Sequence, residues 1–358
     1  MARKCTASIN LRAIKKNYLY AKSLAPNSKA IAIIKADAYG HGAIKVAKEL
    51  DEVADAYGVA CIEEALELLN SGINKTPILL LEGVFEKSEL VLVAKHNLVV
   101  TVCNSTQLQW LLDADLNKPI DVFVKYDSGM GRLGFQEDSF IQAINLLKES
   151  DNIGEIILMT HFSNADDPKS TLTTKQIRNF ENTLYAEKYP GSLANSAAIL
   201  NWRESHRDYV RPGIMLYGSS PFSDAKYQKN LIPAMTLSSV LISIKNLKKG
   251  QGIGYGSRFI CQRDMMIGVV AIGYADGYSR HANDGTPVYI NGARSRVVGR
   301  VSMDMTTIDL TGVPNPKIGD KVELFGENIA INEVAEYCNT ISYEILSKIT
   351  RRVYKAYI

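Results

Sequence analysis

Cysteine is scarce in this chain and poorly placed for either of its structural uses. The residues Cys5, Cys61, Cys103, Cys261 and Cys338 are odd in number and scattered, with no C-x-x-C pair. That spacing supports neither a disulfide framework nor a zinc knuckle. Charge of one sign is missing as well. The chain has 41 basic and 38 acidic residues and a net charge of +3, which gives no basic footprint for nucleic acid and no acidic tail. No apolar run approaches the ~20 residues that a membrane helix needs. The opening "MARKCTASIN" lacks the apolar core of a signal peptide. There is no low-complexity tract, and no G-x-G-x-x-G follows the first strand-like run, which argues against a dinucleotide fold. These absences lead to the expectation of a soluble, cytoplasmic protein of a reducing compartment, without nucleic-acid, membrane or metal partners.

What is present is a chain of 358 residues, 46% of them hydrophobic, long enough for two domains. Its two parts have different rhythms. From Ala30 to about Gly213 short apolar runs recur: "AIAII", "AYGVA", "PILLLE", "LVVTVC", "IDVFVKY", "EIILMTH", "GSLAN" and "DYVRPG". Between most of them lie segments such as "HGAIKVAKELDEV" and "CIEEALELLNSG", whose apolar residues recur at three and four as a one-faced helix requires. Continuous apolar strands between helices imply a helix-covered parallel sheet, and eight such units in about 200 residues point to a TIM barrel. From about Ala234 the strand-like runs "MTLSSVLISIK", "MMIGVVAIGY", "TPVYING", "SRVVGRVSM", "TTIDL" and "KVELFG" are separated by Gly, Pro, Asn and Asp, and a helical "INEVAEYCNTISYEILSKI" follows. That pattern reads as a second, β-rich domain. The expected architecture is α/β, a (β/α)8 TIM barrel followed by a mainly-β C-terminal domain. The division is expected at residues 1–228 and 229–358, with the first residues packing against the C-terminal domain.

In a barrel of this kind the chemistry collects at the C-terminal ends of the strands. Lys35 ends the first strand in "AIIKADAYGHG", Lys125 the fifth in "VFVKYDSGMGRLG", and His161 the sixth in "LMTHFSNAD". Asn195 and Ser196 follow the seventh, and Arg211 ends the eighth in "YVRPGIMLYG". Any one of these has a plain structural reading, as a snorkelling lysine, a satisfied histidine or a capping serine. Five strands delivering polar groups to one face are hard to explain as packing, because each would be a separate buried polar cost. A lysine held half out of water serves as an amine nucleophile or base. "NSAA" sets a hydroxyl at a helix start, where free N–H groups favour phosphate. "RPGI" adds an arginine and a glycine open to close approach. Tyr39 reaches the same pocket. A lysine able to condense with an aldehyde, beside a phosphate cradle, points to pyridoxal phosphate.

These residues carry a resemblance. "AIIKADAYGHG" resembles the cofactor-lysine motif of the bacterial alanine racemases, pyridoxal-phosphate enzymes of fold type III. "KYDSGMGRLGF", "THFSNAD", "NSAA", "VRPGIMLYG", "GIGYGSRF", "IGYADGYSR" and "GRVSMDM" continue it in family order through both parts of the chain. The resemblance implies an isomerase that interconverts L- and D-alanine and supplies D-alanine for peptidoglycan. It also implies a homodimer in which each barrel's site is completed by the partner's β domain. It assigns Lys35 to the cofactor and to the D-enantiomer's proton, Tyr255 to the L-enantiomer's proton from the other subunit, and Arg211 to the pyridine nitrogen. His161 matches the partner of the catalytic tyrosine. Tyr39, Ser196, Gly213, Ile214 and Tyr357 match phosphate contacts. Arg132 and the backbone of Met303 match the substrate-carboxylate site. Tyr274, Arg280, Arg300 and Asp166 match a polar approach channel. Lys125 matches a lysine often carbamylated, which positions Arg132. The C-terminal "TRRVYKAYI" departs from the family pattern, although Tyr357 keeps its register.

The chemistry gives those assignments a reason. Racemisation removes a proton from one face of the α-carbon and returns one to the other, which calls for two bases on opposite sides. A guanidinium against a pyridine nitrogen leaves that nitrogen unprotonated, because adjacent cations repel. Alternatives stay open at this level. Lys125 is either a carbamate or a lysine paired with Asp127. Tyr255 is either a base or a loop cover, and Tyr274 and Arg280 line either a channel or only an interface. The substrate is alanine, or serine and a broader set. A non-catalytic pyridoxal-phosphate carrier on the same barrel is disfavoured by the β domain. An amino-acid decarboxylase fits the motif set poorly.

Overall fold

The computed structural model describes residues 3–358. Eight parallel strands close into a barrel: Lys29–Ile33, Ala56–Val59, Ile78–Leu80, Val99–Val102, Ile120–Lys125, Ile153–Met159, Gly191–Asn195 and Tyr209–Arg211. Closure is made by parallel pairing of the first strand with the eighth, Lys29 opposite Tyr209 and Ala30 opposite Val210. Each strand matches one of the apolar runs of the sequence. The helices between them bury one stripe. Ala43, Val46, Ala47 and Leu50 do so in Ala43–Leu50, and Phe140, Ala143, Ile144 and Leu147 in Glu137–Leu147. Ile31, Ile33, Leu79, Phe123, Ile157 and Met159 fill the barrel interior, so the barrel is a packed core, and chemistry is confined to its rim.

The second part is a mainly antiparallel assembly built on one long strand, Met235–Leu247. It pairs with Lys321–Phe325, with Met265–Val270 and, in its first half, with Thr6–Ile9. Thr6–Ile9 pairs on its other side with the final strand Tyr354–Tyr357, so both ends of the chain join this sheet. Three details depart from the sequence reading. Of "SRVVGRVSM" only Ser295 and Arg296 are strand, the end of Ala293–Arg296, and Gly299 turns the chain at φ +79 against Ile253. "MMIGVVAIGY" is strand only to Val270. The helical tail divides into Ile331–Tyr337 and Ser342–Ser347, broken where Asn339 takes a left-handed φ of 51. No helix among the described residues is long and apolar enough to cross a membrane.

Candidate active site

A cavity of about 490 Å³ opens at the C-terminal rim of the barrel. Lys35, Tyr39, Lys125, Arg132, His161, Asn195, Ser196, Arg211, Gly213 and Ile214 all line it, as their positions at strand ends predict. Its walls carry four basic side chains, Lys35, Lys125, Arg132 and Arg211, and a single carboxylate, Glu82. Such a cavity attracts anions.

Lys35 follows the first strand and opens an unusual turn. Ala36, Asp37, Ala38 and Tyr39 have φ of 53, 54, 54 and 52, four consecutive residues in the left-handed region, where each Cβ costs ~1–2 kcal/mol. The surroundings hold the turn. Ala36 N–H donates to Glu64 at 2.7 Å, and Ala43 N–H donates to Asp37 at 2.8 Å. His41 Nδ1 lies 3.0 Å from both the Ala38 and Tyr39 carbonyls, so it carries the proton and donates to them. Gly40 closes the turn at φ +80, where a Cβ would sit 2.3 Å from the Leu346 carbonyl. The His41 ring stacks on Tyr217 at 4.5 Å, and burial pushes its pKa down to about 4.

Arg211 is 4% exposed, and no carboxylate among the described residues forms an ion pair with it. It donates to the Ser192 carbonyl at 2.8 Å and Oγ at 2.6 Å, and to the Thr160 and Leu193 carbonyls at 2.7 and 3.2 Å. Burial lowers its pKa to about 10, which still leaves it charged at neutral pH. Its Nη2 lies 3.4 Å from His161 Nδ1. A guanidinium has no lone pair to accept with, so His161 Nδ1 is the acceptor and Nε2 carries the proton. Burial first, then the charge of Arg211, holds the His161 pKa well below its usual range. His161 is therefore a neutral donor, backed by a cation.

Beside Arg211, Ser196 Oγ accepts from Gly213 N–H at 2.8 Å. A Cβ on Gly213 would come within 2.9 Å of the Tyr39 hydroxyl. Ile214 begins a 3-10 turn, so its N–H has no partner within that turn. Burial raises the Tyr39 phenol to about 12. Lys125 is buried, and burial lowers its pKa. The Asp127 carboxylate accepts from Gly129, Met130 and Gly131 N–H groups, and no ion pair joins it to Lys125 among the described residues.

The remaining expected residues lie elsewhere. Tyr255 is 71% exposed and Met303 53%. Tyr274, Arg280, Arg300 and Asp166 are exposed, and none of the six lines the cavity. Four of them lie close together on the β part. Tyr274 N–H donates to Ser302 O, and Ala275 N–H donates to Met303 O, both at 3.0 Å. A Cβ on Gly254, next to Tyr255, would be 3.6 Å from Arg300 N. Tyr357 requires a correction. It sits on the final strand with its hydroxyl against Gly42, where a Cβ would be 2.1 Å away, and it does not line the cavity. The tyrosine that the C-terminal segment brings there is Tyr343, on Ser342–Ser347, 5.9 Å from Tyr39 ring to ring.

Residues 9–221 match the family described as "Alanine racemase, N-terminal domain", and residues 234–357 match "Alanine racemase, C-terminal domain". The chain belongs to the alanine racemase family. The alanine racemase of Azoarcus sp. (strain BH72) is 45% identical over 353 residues, 99% of each chain. The biosynthetic alanine racemase of Pseudomonas aeruginosa superposes with a TM-score of 0.96 at 43% identity, covering 99% of both chains. The alanine racemase of Bartonella henselae, solved with covalently bound pyridoxal phosphate, superposes with a TM-score of 0.90 at 30% identity, again over 99% of both.

Within this alanine racemase framework, two polar residues of the cavity, Glu82 and Tyr343, carry no assignment from the sequence. Glu82 follows the third strand, and its carboxylate lies 3.8 Å from Lys35 Nζ. Gln107, itself buried, fixes that loop by donating to the Glu82 and Val84 carbonyls at 2.9 and 3.0 Å. Glu82 had a signal, since it ends "PILLLE" at a strand terminus like the other site residues. Tyr343 had none, because it arrives from the other part of the chain.

Proposed function

We propose that this protein interconverts L- and D-alanine with pyridoxal 5'-phosphate at the barrel mouth, as a homodimer with shared sites. The observation that carries this reading is the cavity itself, where Lys35 and Arg211 flank an anion cradle at the strand ends of an alanine racemase barrel. The residues fit the cofactor. The buried Arg211, with no ion-paired carboxylate among the described residues, suits an unprotonated ring nitrogen, and the close approach at Gly213 leaves room for a phosphate that a side chain would fill. Ser196, the backbone of Gly213 and Ile214, Tyr39 and Tyr343 would hold the phosphate, and Lys35 would hold the aldehyde carbon. When bound, pyridoxal phosphate acidifies the α-proton by delocalising the electron pair left behind.

The chain's own groups divide the rest of the work. Lys35 moves the proton on one face of the α-carbon. Tyr255 moves it on the other and comes from the second copy, since it is exposed and does not line its own cavity. His161 Nε2–H, polarised by Arg211, is a donor suited to stabilising a phenolate on that Tyr255. Arg132 and the Met303 backbone hold the substrate carboxylate. Lys125, buried among Arg132, Arg211 and Lys35, is suited to a carbamate, which turns a repelling cation into an anchoring anion. Tyr274, Arg280, Arg300 and Asp166 line the approach. We assign residues 1–228 and 229–358 as the two domains, the cytoplasm as location, and supply of D-alanine for peptidoglycan as the role.

The test is loss of optical activity from a panel of single L-amino acids with pyridoxal phosphate added. Rapid racemisation of alanine and little else is expected. Comparable rates on serine and larger residues would make it a broad-specificity racemase. No racemisation with cofactor bound would overturn the reading.

A further inference from the structure

An ionic cluster centred on one buried carboxylate lies away from the cavity and outside every role assigned above. Asp276 is 0% exposed. Arg3, from the start of the chain, donates to both of its oxygens at 2.6 and 2.5 Å. Arg352, from the end of the chain, places Nε 3.2 Å from Asp276 Oδ1 and Nη2 2.5 Å from Asp304 Oδ1. Gly273 N–H donates to Asp276 Oδ2 at 2.9 Å. The Asp276 carbonyl accepts from Thr350 N–H at 3.1 Å. Burial alone would push the Asp276 carboxyl up; the Arg3 bonds, the Gly273 N–H and the two arginine charges hold it below its usual range.

This cluster is a poor device for stability, since Arg3, Arg352 and Asp304 are partly open to solvent, where ion pairs contribute little, and desolvating the Asp276 carboxylate is costly. Its position is more informative. Asp276 ends the single turn Tyr274–Asp276, and Asp304 directly follows Met303. The two loops are also bonded to each other, through Tyr274 with Ser302 and Ala275 with Met303. One fork-shaped clamp therefore ties both loops, and the side chains of Tyr274 and Met303 stand outward from it, exposed.

We infer that Asp276, clamped by Arg3 and Arg352, is a positioning residue that acts in trans, fixing the Tyr274 and Met303 loops which complete the partner subunit's cavity. The inference rests on the shared site proposed above. It has a directional consequence. Damage to Asp276 harms the site of the other copy and leaves the chain's own Lys35 cavity intact.

Hybrid dimers test this. Asp276→Asn homodimers should load pyridoxal phosphate on Lys35 with unchanged absorbance and lose racemisation by about 10²-fold, the scale of a 1 Å misplacement. A hybrid of Lys35→Ala and Asp276→Asn chains contains one site with an intact Lys35 and an intact clamp opposite it. It should recover about half of wild-type activity per dimer, because one of two sites is whole. The control is the hybrid of Lys35→Ala with Tyr255→Phe. If the control is active and the Asp276→Asn hybrid is not, Asp276 acts within its own chain and the inference fails. If the control is inactive in proven heterodimers, the shared-site reading itself fails, and the inference with it. Full activity of the Asp276→Asn homodimer also overturns it. Should that chain not fold, Arg3→Ala, which removes half of the clamp, takes its place with the same readings, and Arg3→Lys should be intermediate because the charge remains and the fork is lost.

Discussion

The barrel mouth and the β-part loops carry similar residues in opposite settings. At the mouth, Arg211, Lys125 and Ser196 are buried, and Arg211 and Ser196 are bonded within their own chain. On the loops, the backbones of Tyr274 and Met303 are pinned, while their side chains and that of Tyr255 stand in solvent. A chain can desolvate polar groups only where it supplies their partners itself. A tyrosine and a methionine held out in water on a fixed scaffold suit the proposed reading, in which a second copy covers them. In that reading the cofactor half of the site is built on folding, and the opposing half is completed on assembly.

The sharpest break in this comparison comes at Lys35. Lys35→Ala should abolish covalent cofactor binding and lower racemisation by on the order of 10⁴-fold. Absorbance of the cofactor-loaded protein at the blue edge of the visible checks it, and a persisting band with full activity would place the nucleophile elsewhere. Tyr255→Phe should cost about 10²- to 10⁴-fold, yet leave the melting free energy within about 0.5 kcal/mol, as surface changes do. Exchange of the α-proton with deuterated water should persist for D-alanine and fail for L-alanine; equal exchange from both enantiomers would refute the assignment of one base to each face.

Acid separates the two regions next. His41 holds the Lys35 turn and has a pKa near 4 in the folded chain, against ~6.5 when unfolded. The unfolded chain binds a proton that the folded chain refuses. Stability from this group is complete above about pH 6.5 and declines as pH falls toward 4, by up to about 3 kcal/mol. His161 adds in the same direction. His41→Gln should flatten the decline in a melting series, and an unaltered slope would assign the acid sensitivity elsewhere. The smallest effect belongs to Lys125. In bicarbonate buffer the native mass should exceed the sequence mass by one CO₂, and Lys125→Ala should remove that increment with a smaller loss of activity than Tyr255→Phe. An unmodified native mass would leave Lys125 an amine.

The eight barrel strands and the residues at their ends were legible because apolar runs and turn residues are local patterns. The left-handed turn at Ala36–Tyr39 was not, since only Asp37 in "ADAY" tolerates positive φ, and its supports come from Glu64 and His41. Tyr357 was assigned by register along the chain, where the fold brings Tyr343 instead. The strands Thr6–Ile9 and Tyr354–Tyr357 were not singled out, because four residues each carry little periodicity until they pair with one another.

The sequence by itself determined the barrel, the second β-rich part, and the rim positions of Lys35, Lys125, His161, Ser196 and Arg211. These follow from hydrophobic period and strand ends, which neighbouring residues specify. Only the tertiary structure decided which residues share the cavity, which tyrosine reaches it, that Glu82 faces Lys35, and that Asp276 joins the two ends of the chain. Those are contacts between segments tens to hundreds of residues apart, fixed by sheet register and packing, which no local pattern encodes.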